Sequence, residues 1–352
     1  MLKHDLAPAT LEITQLSPRD DSELTSFLDS LAQQSGAVLA YHYPFYRSML
    51  EKLGIGRAVY LGARREGRLC GYLPAFLKQS AAGSALCSLP FFGPNAGVLC
   101  WENDRREVHA ALLQELLRVA KDVNALSCSV YTPFLFKDFA LYDASFGDAI
   151  VVDKFTQYLD LSTARWSNEI ERDLRRARKA SIQVSCKLND DRLAAFCEIY
   201  SQNCADYCIP RKPWDCIRFL ASEQVVGRFS RFYFAMIEDK LIGGLLVLLS
   251  PVTASYYLPA SRKEYRSDQP GTLLVDAAIR DARSRGIKYW NWESSPGRDS
   301  GVYSFKQRWG ATEDTYRVYL KSFQSQEKVT GLGREGISQN FPYYFVWPFD
   351  RL

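Results

Sequence analysis

The sequence lacks a hydrophobic run long enough to cross a bilayer. In the second half of the chain the longest run without a charge or a strongly polar residue, 241–249, is about half of the ~20 residues that a membrane-spanning helix needs. The first residues, Met-Leu-Lys-His-Asp-Leu, lack the apolar core of a secretory signal peptide. Together these absences predict a cytoplasmic protein without a transmembrane segment.

Histidine is scarce, and the cysteines form no framework. The three histidines lie far along the chain from the close cysteine pair Cys204 and Cys208, whereas a zinc site needs four nitrogen or sulfur ligands. Nine scattered cysteines, an odd number, also argue against a disulfide scaffold in a chain of this size. We therefore expect no bound metal and mostly buried, reduced thiols.

The composition excludes disordered, collagen-like and coiled-coil chains. The chain has 352 residues, of which 47% are hydrophobic and 24% charged, and a single core rarely extends over that length. Charge is divided unevenly: residues 1–160 carry 15 Lys+Arg against 18 Asp+Glu, and residues 161–352 carry 29 against 22. The net charges of −3 and +7 assign any anionic partner to the second half.

One eleven-residue pattern occurs twice. Ala63-Arg-Arg-Glu-Gly-Arg-Leu-Cys-Gly-Tyr-Leu73 aligns without gaps with Ala235-Met-Ile-Glu-Asp-Lys-Leu-Ile-Gly-Gly-Leu245, at an offset of 172 residues. Each copy is typical of a β-hairpin with a tight turn. A third strand, a loop, a helix and a further strand follow in both halves, with the helices expected at 104–122 and 272–285 and the last strands at 125–131 and 287–292. This order predicts a tandem duplication.

The predicted fold class is α/β with mixed sheets. We expect two tandem domains, each with a central mixed β-sheet flanked by helices, at residues 1–160 and 161–322. Residues 323–352 form an aromatic tail that is too apolar to remain in water, so we expect it to dock on a domain.

A basic amphipathic helix is predicted at residues 166–180, where the domains join. Its apolar positions recur at i, i+4, i+8 and i+11 and are Trp166, Ile170, Leu174 and Ala177. Four of the five residues 175–179 are basic. Two interpretations stay open: a solvated helix face, or a helix whose Arg175 and Arg176 bind substrate phosphates.

The loop at residues 260–271 is the candidate donor site. It runs from a strand end into a helix N-terminus, where unpaired N–H groups and a partial positive charge suit a pyrophosphate. Gly271 permits close approach of the backbone, and Thr272 is expected to cap the helix. The residues predicted to bind the donor are Arg262, Lys263, Arg266, Gly271 and Thr272.

A family resemblance rests on three segments. Gly301-Val-Tyr-Ser-Phe-Lys-Gln-Arg-Trp-Gly310 is similar to a pattern near the end of the second unit of the Fem-type (FemAB/CelD-like) tandem-GNAT group of the GNAT superfamily. Leu174-Arg-Arg-Ala-Arg-Lys-Ala180 and Gly271-Thr-Leu-Leu-Val-Asp-Ala-Ala278 also resemble that group. The resemblance covers about residues 35 to 322 and implies the tandem GNAT-like fold given above.

The resemblance implies an N-acyltransferase that moves an acyl group from acyl-CoA to an amino group of a cell-envelope or exopolysaccharide precursor. Acyl-CoA is then a donor substrate, and no cofactor is bound permanently. The GNAT loop pattern Arg/Gln-x-x-Gly-x-Gly/Ala is incomplete, because Gln269 stands at its first glycine and Gly271 at its last. Two alternatives therefore stay open: a Fem-type transferase that uses aminoacyl-tRNA on a peptidoglycan precursor, and a tandem-GNAT binding protein without catalytic activity.

Three residues are the catalytic candidates. The resemblance implies that Lys306 neutralises charge on the reacting carbonyl or on a donor phosphate. Tyr303, three residues earlier, is expected to donate a proton. Glu293 is a general base if neighbouring tryptophans raise its pKa, and otherwise pairs with Lys288 or Arg298. No Ser-His-Asp or Cys-His set can be assembled, which favours direct attack on the donor.

The acceptor is expected to be a small-molecule or lipid-linked glycan or peptide precursor. His42, among the aromatic residues 41–46, is a candidate for stacking on it, and Arg211 for its phosphates. The first domain has no Arg or Lys between Lys78 and Trp101, so we expect it to hold the acceptor without catalysing the reaction. Other expected partners are tRNA, in the alternative above, and a membrane surface by peripheral association; DNA is not expected.

Overall fold

The computed structural model describes residues 10–91, 93 and 95–352, which divide into two units. Unit 1 comprises Met1–Lys154 and Thr315–Leu352, and unit 2 comprises Phe155–Asp314. Residues 1–9, which include the amino-terminal segment considered above, and Phe92 and Pro94 lie outside the described residues. No helix in the described ranges is long and apolar enough to cross a membrane.

Unit 1 contains eight complete strands and most of a ninth, together with six α-helices, among its described residues. The strands are β1 (Leu11–Leu16), β2 (Arg57–Ala58), β3 (Tyr60–Arg65), β4 (Arg68–Leu73), β5 (Phe76–Ser80), β6 (Gly83–Cys87), β7 (Leu99–Cys100), β8 (Ser127–Tyr131) and, running on from unit 2, β15 (Thr312–Ser322). The helices are α1 (Asp21–Gln34), α2 (Pro44–Lys52), α3 (Arg105–Asp122), α4 (Ala140–Phe146), α10 (Gln326–Thr330) and α11 (Gly333–Asn340). Strand β9 (Ile150–Asp160) leads into unit 2.

Unit 2 repeats the order of strands and helices that the sequence predicts. Its strands are β10 (Gln183–Ser185), β11 (Ser230–Ile237), β12 (Lys240–Leu249), β13 (Thr253–Ser261) and β14 (Tyr289–Asn291). Its helices are α5 (Asn168–Lys179), α6 (Asp190–Asp206), α7 (Trp214–Leu220), α8 (Pro270–Ser284) and α9 (Gly301–Arg308), with a 3₁₀ turn at Lys263–Asp268. The mixed α/β fold class is confirmed.

Both predicted hairpins form, and they share one register. In unit 1, β3 pairs with β4 so that Arg65 faces Arg68, and the register shifts between Ala63 and Arg64. In unit 2, β11 pairs with β12 so that Ile237 faces Lys240, and the shift falls between Ala235 and Met236. A β-bulge therefore recurs at the same place in the two copies, at the offset of 172 residues found in the sequence.

The unit 2 sheet has one parallel pair. Strands β10 to β13 pair antiparallel in chain order, and β14 joins β13 in parallel after the crossover through α8. That parallel pair is only three residues long, from Thr253 opposite Tyr289 to Ser255 opposite Asn291. Beyond it β13 continues to Ser261 while β14 ends, so the two strands part and leave a strand edge open.

The core of unit 2 fixes the helices around the part of the sheet where these strands separate. The buried apolar face of α5, which is Ile170, Leu174 and Ala177, packs in one cluster with α8 and the inner face of the sheet. Trp292 and Trp309 are fully buried in the same cluster, which anchors α9 beside the end of β14. The predicted apolar stripe of the basic helix is thus the face that the helix buries.

The unit boundaries differ from the predicted domains. The sequence predicts that the second domain continues to residue 322, whereas unit 2 ends at Asp314. The reason is strand pairing, because the end of β15, from Val318 to Ser322, pairs antiparallel with β8 of unit 1. The aromatic tail also lies in unit 1, where Phe341 and Trp347 are buried and the Tyr344 hydroxyl donates to the carbonyl of Ile55 at 3.3 Å.

Two glycines of unit 2 allow the cost of backbone strain alone to be compared with the cost of strain combined with a steric overlap. Gly310 and Gly286 both have positive φ, +79° and +74°. A Cβ at Gly310 would overlap the carbonyl oxygen of Arg165, whereas a Cβ at Gly286 would meet nothing within 4 Å. We therefore expect Gly286→Ala to lower the free energy of unfolding by about 1 kcal/mol, and Gly310→Ala by about 2 to 4 kcal/mol. Urea denaturation of both variants measures the difference, and equal losses would contradict the contact with Arg165.

Candidate active site

Lys306 is a buried cation whose hydrogen bonds fix the segment after β14. Its side chain is 1% exposed, and its ammonium donates to the carbonyls of Glu293 and Ser294 at 3.0 and 2.9 Å and to the Ser295 hydroxyl at 2.9 Å. An ammonium has three N–H donors, so all of them are used. In this arrangement Lys306 is a positioning residue for 293–295. A contact with a donor would require it to exchange one of these bonds.

Glu293 follows β14 directly and has a strained backbone. Its φ is +59°, a left-handed conformation that non-glycine residues rarely adopt. Asn291, fully buried, holds it from two sides: its amide nitrogen donates to Glu293 Oε1 at 3.0 Å, and its amide oxygen accepts from the Glu293 backbone N–H at 3.0 Å. Strain that the surroundings impose on a residue is common at functional sites, which makes Glu293 a candidate for function.

Burial brings the pKa values of Glu293 and Lys306 into the same range. Burial raises the pKa of Glu293 to about 8, and the neighbouring Lys306 opposes the rise. Burial likewise lowers the pKa of Lys306 to about 8, against the effect of Glu293. A carboxyl group with a pKa near neutrality is suited to general base catalysis, because it can bind and release a proton at the working pH.

A polar network connects these residues to β9 and β13. Asn291 accepts from the Thr156 hydroxyl at 3.1 Å and donates to Ser255 Oγ at 3.4 Å. Ser295, which accepts from Lys306, donates to Gln157 at 3.0 Å. The network orients Glu293 from the adjacent strands. Among the described residues, no group of three or more His, Cys, Asp or Glu is placed to hold a metal ion.

Tyr303 lies on the same helix as Lys306 but has other partners. Its hydroxyl donates to Glu313 at 3.2 Å and accepts from Gln307 at 3.1 Å, while its ring packs edge-on against Phe155. Glu313 also pairs with Arg298 at 2.6 Å. The proposed proton donor is therefore held beside a carboxylate, and the role predicted for it stays a prediction.

The cations of the donor loop face α6. Arg262 donates to the carbonyl of Leu241 at 3.0 Å and lies 3.6 Å from Glu198. Arg266 lies 3.7 Å from Asp206. Lys263 is exposed and lines a cavity of about 290 Å³ together with Glu198, Asn203, Asp206 and Arg262. In this structure the two arginines therefore pair with α6 carboxylates, and only Lys263 is left to approach an anion at this loop.

The start of α8 contradicts the capping role predicted for Thr272, and the space beside its first turn is open. The helix begins at Pro270 after Gln269, which has a φ of +61°, so Thr272 lies inside the first turn and does not cap the helix. Its hydroxyl donates instead to the Gln269 side chain at 3.2 Å. A Cβ at Gly271 would meet nothing within 4 Å, so the first-turn N–H groups border open space. Gln269 takes the left-handed position that glycine would occupy without strain.

The residues predicted to bind substrate do not come together. Arg175 and Arg176 are exposed on α5, and Arg211 is exposed between α6 and α7, where it donates to Ser201 Oγ at 2.7 Å. His42 is fully buried in unit 1. Its Nδ1 accepts from the Leu39 N–H at 2.9 Å and its Nε2 donates to the Asn95 carbonyl at 3.2 Å, so its ring nitrogens serve the backbone. The structure places His42 in the core and not at a binding surface.

Sequence reasoning missed the residues that position Glu293. Gln157, Asn291 and Ser295 have no sequence pattern of their own, and they lie on β9, on β14 and in the segment after β14, respectively. The available signal is the segment Asn291-Trp-Glu-Ser-Ser295, where polar side chains directly follow a strand. Polar residues at the end of a buried strand are candidates for a site.

A family model and several solved structures are similar to this chain. Residues 164–307, which include helices α5 to α8 and nearly all of α9, match the family model described as Acetyltransferase (GNAT) domain. A crystal structure of FemX covers 91% of this chain and 99% of its own with a TM-score of 0.68 at 12% identity. In sequence, the curated proteins include no match.

Two further solved structures share the fold. A tandem GNAT protein from the clavulanic acid biosynthesis pathway covers 90% of this chain and 100% of its own, with a TM-score of 0.56 at 16% identity. The C-terminal domain of a putative lysylphosphatidylglycerol synthetase from Agrobacterium fabrum covers 91% and 96%, with a TM-score of 0.60 at 10% identity. Residues 164–307 are thus similar to GNAT acetyltransferase domains. The whole chain shares its fold with FemX and with the tandem GNAT protein.

The raised pKa of Glu293 predicts a cost in stability at high pH. A carboxyl whose folded pKa lies above its unfolded value stabilises the fold least once it is ionised, so stability falls as pH rises from 4.5 towards 8. Glu293→Gln removes this titration. We expect the variant to unfold at the same urea concentration as the wild type near pH 4.5 and to gain about 1 to 2 kcal/mol near pH 8. Glu223→Gln, at an exposed site, is the control, and a gain independent of pH would contradict the burial of the charge.

Proposed function

We propose that the protein is an N-acyltransferase that moves an acyl group from acyl-CoA to an amino group of a cell-envelope or exopolysaccharide precursor. The observation that carries the proposal is Glu293, a strained carboxyl with a pKa of about 8 at the point where β13 and β14 separate. Glu293 lies within residues 164–307, which match the GNAT family model, and beside the opening between β13 and β14, where we place the acceptor amine and the thioester.

The proposed reaction is a direct transfer. The Glu293 carboxylate takes a proton from the acceptor ammonium, and the neutral amine attacks the thioester carbonyl carbon. The tetrahedral intermediate collapses as the C–S bond breaks, the nitrogen releases its second proton to water, and the leaving thiolate takes up a proton. Tyr303, whose hydroxyl donates to Glu313 at 3.2 Å, stays the candidate source of the proton for the thiolate. Lys306 and Asn291 hold the base in position.

The donor is assigned from the start of α8. Its first-turn N–H groups carry a partial positive charge, and the open space beside Gly271 lets a pyrophosphate approach the backbone. A second candidate is aminoacyl-tRNA, favoured by two observations: Gln269 stands where a CoA-binding loop carries glycine, and the loop arginines are paired with α6. The acceptor class is supported by shared fold with FemX and with a lysylphosphatidylglycerol synthetase, whose name denotes the synthesis of an aminoacyl lipid.

Glu293 makes acyl transfer depend on pH. Because the base must be ionised, we expect kcat/KM for thioester consumption to rise with pH and to level off above about 8. Glu293→Gln is expected to lower kcat by about 10² to 10⁴-fold and to abolish the rise, whereas Glu223→Gln changes neither. Lys306→Met removes the cation that lowers the pKa of Glu293, so in that variant the profile moves to higher pH. Activity of Glu293→Gln within twofold of the wild type would reject this carboxyl as the base, whereas a wild type that consumes no thioester would fit a binding protein without catalysis.

A substitution at Gly271 distinguishes acyl-CoA from aminoacyl-tRNA as the donor. We expect a valine there to fit the unliganded fold, since the space is open, but to obstruct the approach of a pyrophosphate. We expect acyl-CoA at a hundredfold excess over Kd to stabilise the wild type by about 2.7 kcal/mol by mass action, and therefore to raise its unfolding temperature. In Gly271→Val this shift is lost while the unliganded temperature is unchanged, and Ser284→Val, at the far end of α8, keeps it. If the wild type shows no shift with acyl-CoA and binds charged tRNA in a salt-dependent manner, the second donor is correct.

A further inference from the structure

One end of the unit 2 sheet gathers several exposed segments. The strand registers place Val184 of β10 opposite Ala235, Ala235 opposite Gly243, and Gly243 opposite Ser261. The C-terminal end of α5, which leads into β10, therefore lies at the same end of the sheet as the last residue of β13. Asn203, near the end of α6, bonds to the backbone of Ser261 in both directions at 2.9 Å. The loop after α6 is thereby held at this end as well, which we call the end face.

The loop after α6 is the apolar part of the end face. Residues 205–211 are all exposed. Tyr207 and Ile209 are 59% and 52% exposed, the highest values among large hydrophobic side chains in the described part of the chain. The guanidinium of Arg266 lies 5.2 Å from the centre of the Tyr207 ring, and Arg211 is exposed at the other end of the loop. An aromatic and an aliphatic side chain held in water between cations is a pattern typical of a membrane interface.

The outer face of α5 supplies the charge. Arg172, Arg175, Arg176 and Lys179 follow one another at i, i+3, i+4 and i+7, so they form one exposed row, the basic stripe. Among the described residues no ion pair involves Arg175, Arg176 or Lys179, and the chain has no acidic residue between Asp173 and Asp190. The 3₁₀ turn at Lys263–Asp268, which contains Arg266, packs against α5 and connects the stripe to the loop.

Two physical arguments distinguish the possible partners. The apolar face of α5 is buried in the core, so the helix itself cannot insert into a bilayer and offers only its charge. A nucleic acid would use the same cations, but it gains nothing from an exposed aliphatic side chain such as Ile209. A bilayer with anionic headgroups uses both: the phosphates attract the basic stripe, and the interfacial region accepts Tyr207 and Ile209.

We propose that the end face of unit 2 docks on the surface of a bilayer that contains anionic lipid. Tyr207 and Ile209 enter the headgroup region, and Arg175, Arg176 and Lys179 contact lipid phosphates. Strands β13 and β14 part towards this same end, because β13 runs on from Ser255 to Ser261 beyond its pairing with β14. Docking therefore brings the opening beside Glu293 to the membrane surface, where a lipid-linked acceptor would be found. The docking itself requires no acyl transfer.

The test is co-sedimentation of the full chain with lipid vesicles, without donor or acceptor. One set of vesicles contains equal parts of phosphatidylglycerol and phosphatidylcholine, and the other contains phosphatidylcholine alone. We expect binding to the anionic vesicles to be at least about tenfold tighter than to the neutral ones and to weaken as salt is added. Equal binding to both sets, or binding to neither, would overturn the proposal.

Two variants separate the charge from the apolar loop. Arg175→Gln with Arg176→Gln and Lys179→Gln is expected to weaken binding to anionic vesicles at least about tenfold, and its matched control removes three exposed cations of unit 1, Arg57, Arg106 and Lys121. Tyr207→Ser with Ile209→Ser is expected to abolish the binding that persists in high salt, and its control is Phe349→Ser with Leu352→Ser, at 41% exposed positions. All variants change exposed side chains, and their unfolding temperatures verify that each is folded.

The remaining outcomes also decide the matter. If the basic variant weakens binding to tRNA while the wild type does not bind vesicles, the stripe is a nucleic-acid surface and the proposal is wrong. If the serine variant binds vesicles as tightly as the wild type at high salt, the loop does not enter the bilayer and the proposal is also wrong. Failure of the proposed function is distinguishable, because Glu293→Gln tests acyl transfer and leaves the end face unchanged.

Discussion

The candidate site depends on the burial of one ammonium group. A cation that leaves water must find replacement oxygen ligands, because an uncompensated buried charge costs several kcal/mol or more. Lys306 finds three of them in consecutive residues of the chain, at 293, 294 and 295. Those bonds fix the backbone of residues 293–295 after β14. They keep Glu293 in its left-handed conformation at the point where β13 and β14 separate. The base, the opening between the strands and the start of α8 are then all fixed relative to one another within unit 2.

The two units share one hairpin and differ at the loop that follows. The hairpins keep one register and one bulge at the offset of 172 residues. In unit 2 the segment after the third strand ends at an open helix start. In unit 1 the described part of the segment at 88–98 is buried: Phe91 donates its N–H to the Tyr343 carbonyl, and Asn95 accepts from His42. That packing fits the prediction that unit 1 does not catalyse the reaction.

Much of the fold was predictable from local patterns, and the site was predictable only in part. The hairpins and α5 follow from alternation and 3.6-residue periodicity, and α8 was placed within two residues of its observed ends. Lys306, Tyr303 and Glu293 could be proposed from the family motif and from their place after a strand. Their hydrogen-bond partners could not, because a motif gives spacing along one helix, whereas Lys306 and Tyr303 reach different partners, the 293–295 segment and Glu313. The capping role predicted for Thr272 is wrong because the helix begins two residues earlier, at Pro270, whose fixed φ suits a first helical position.

By itself the sequence determined the duplicated mixed α/β architecture, the basic face of α5 and the incomplete glycine pattern at 269–271. These features are local, since they depend on side-chain order over at most a few turns or one hairpin. Only the tertiary structure decided where the units divide, which partners the loop arginines take and how the pKa values of Glu293 and Lys306 shift. Those outcomes depend on burial and on contacts between residues as far apart as Thr156 and Asn291, and such contacts have no signature along the chain.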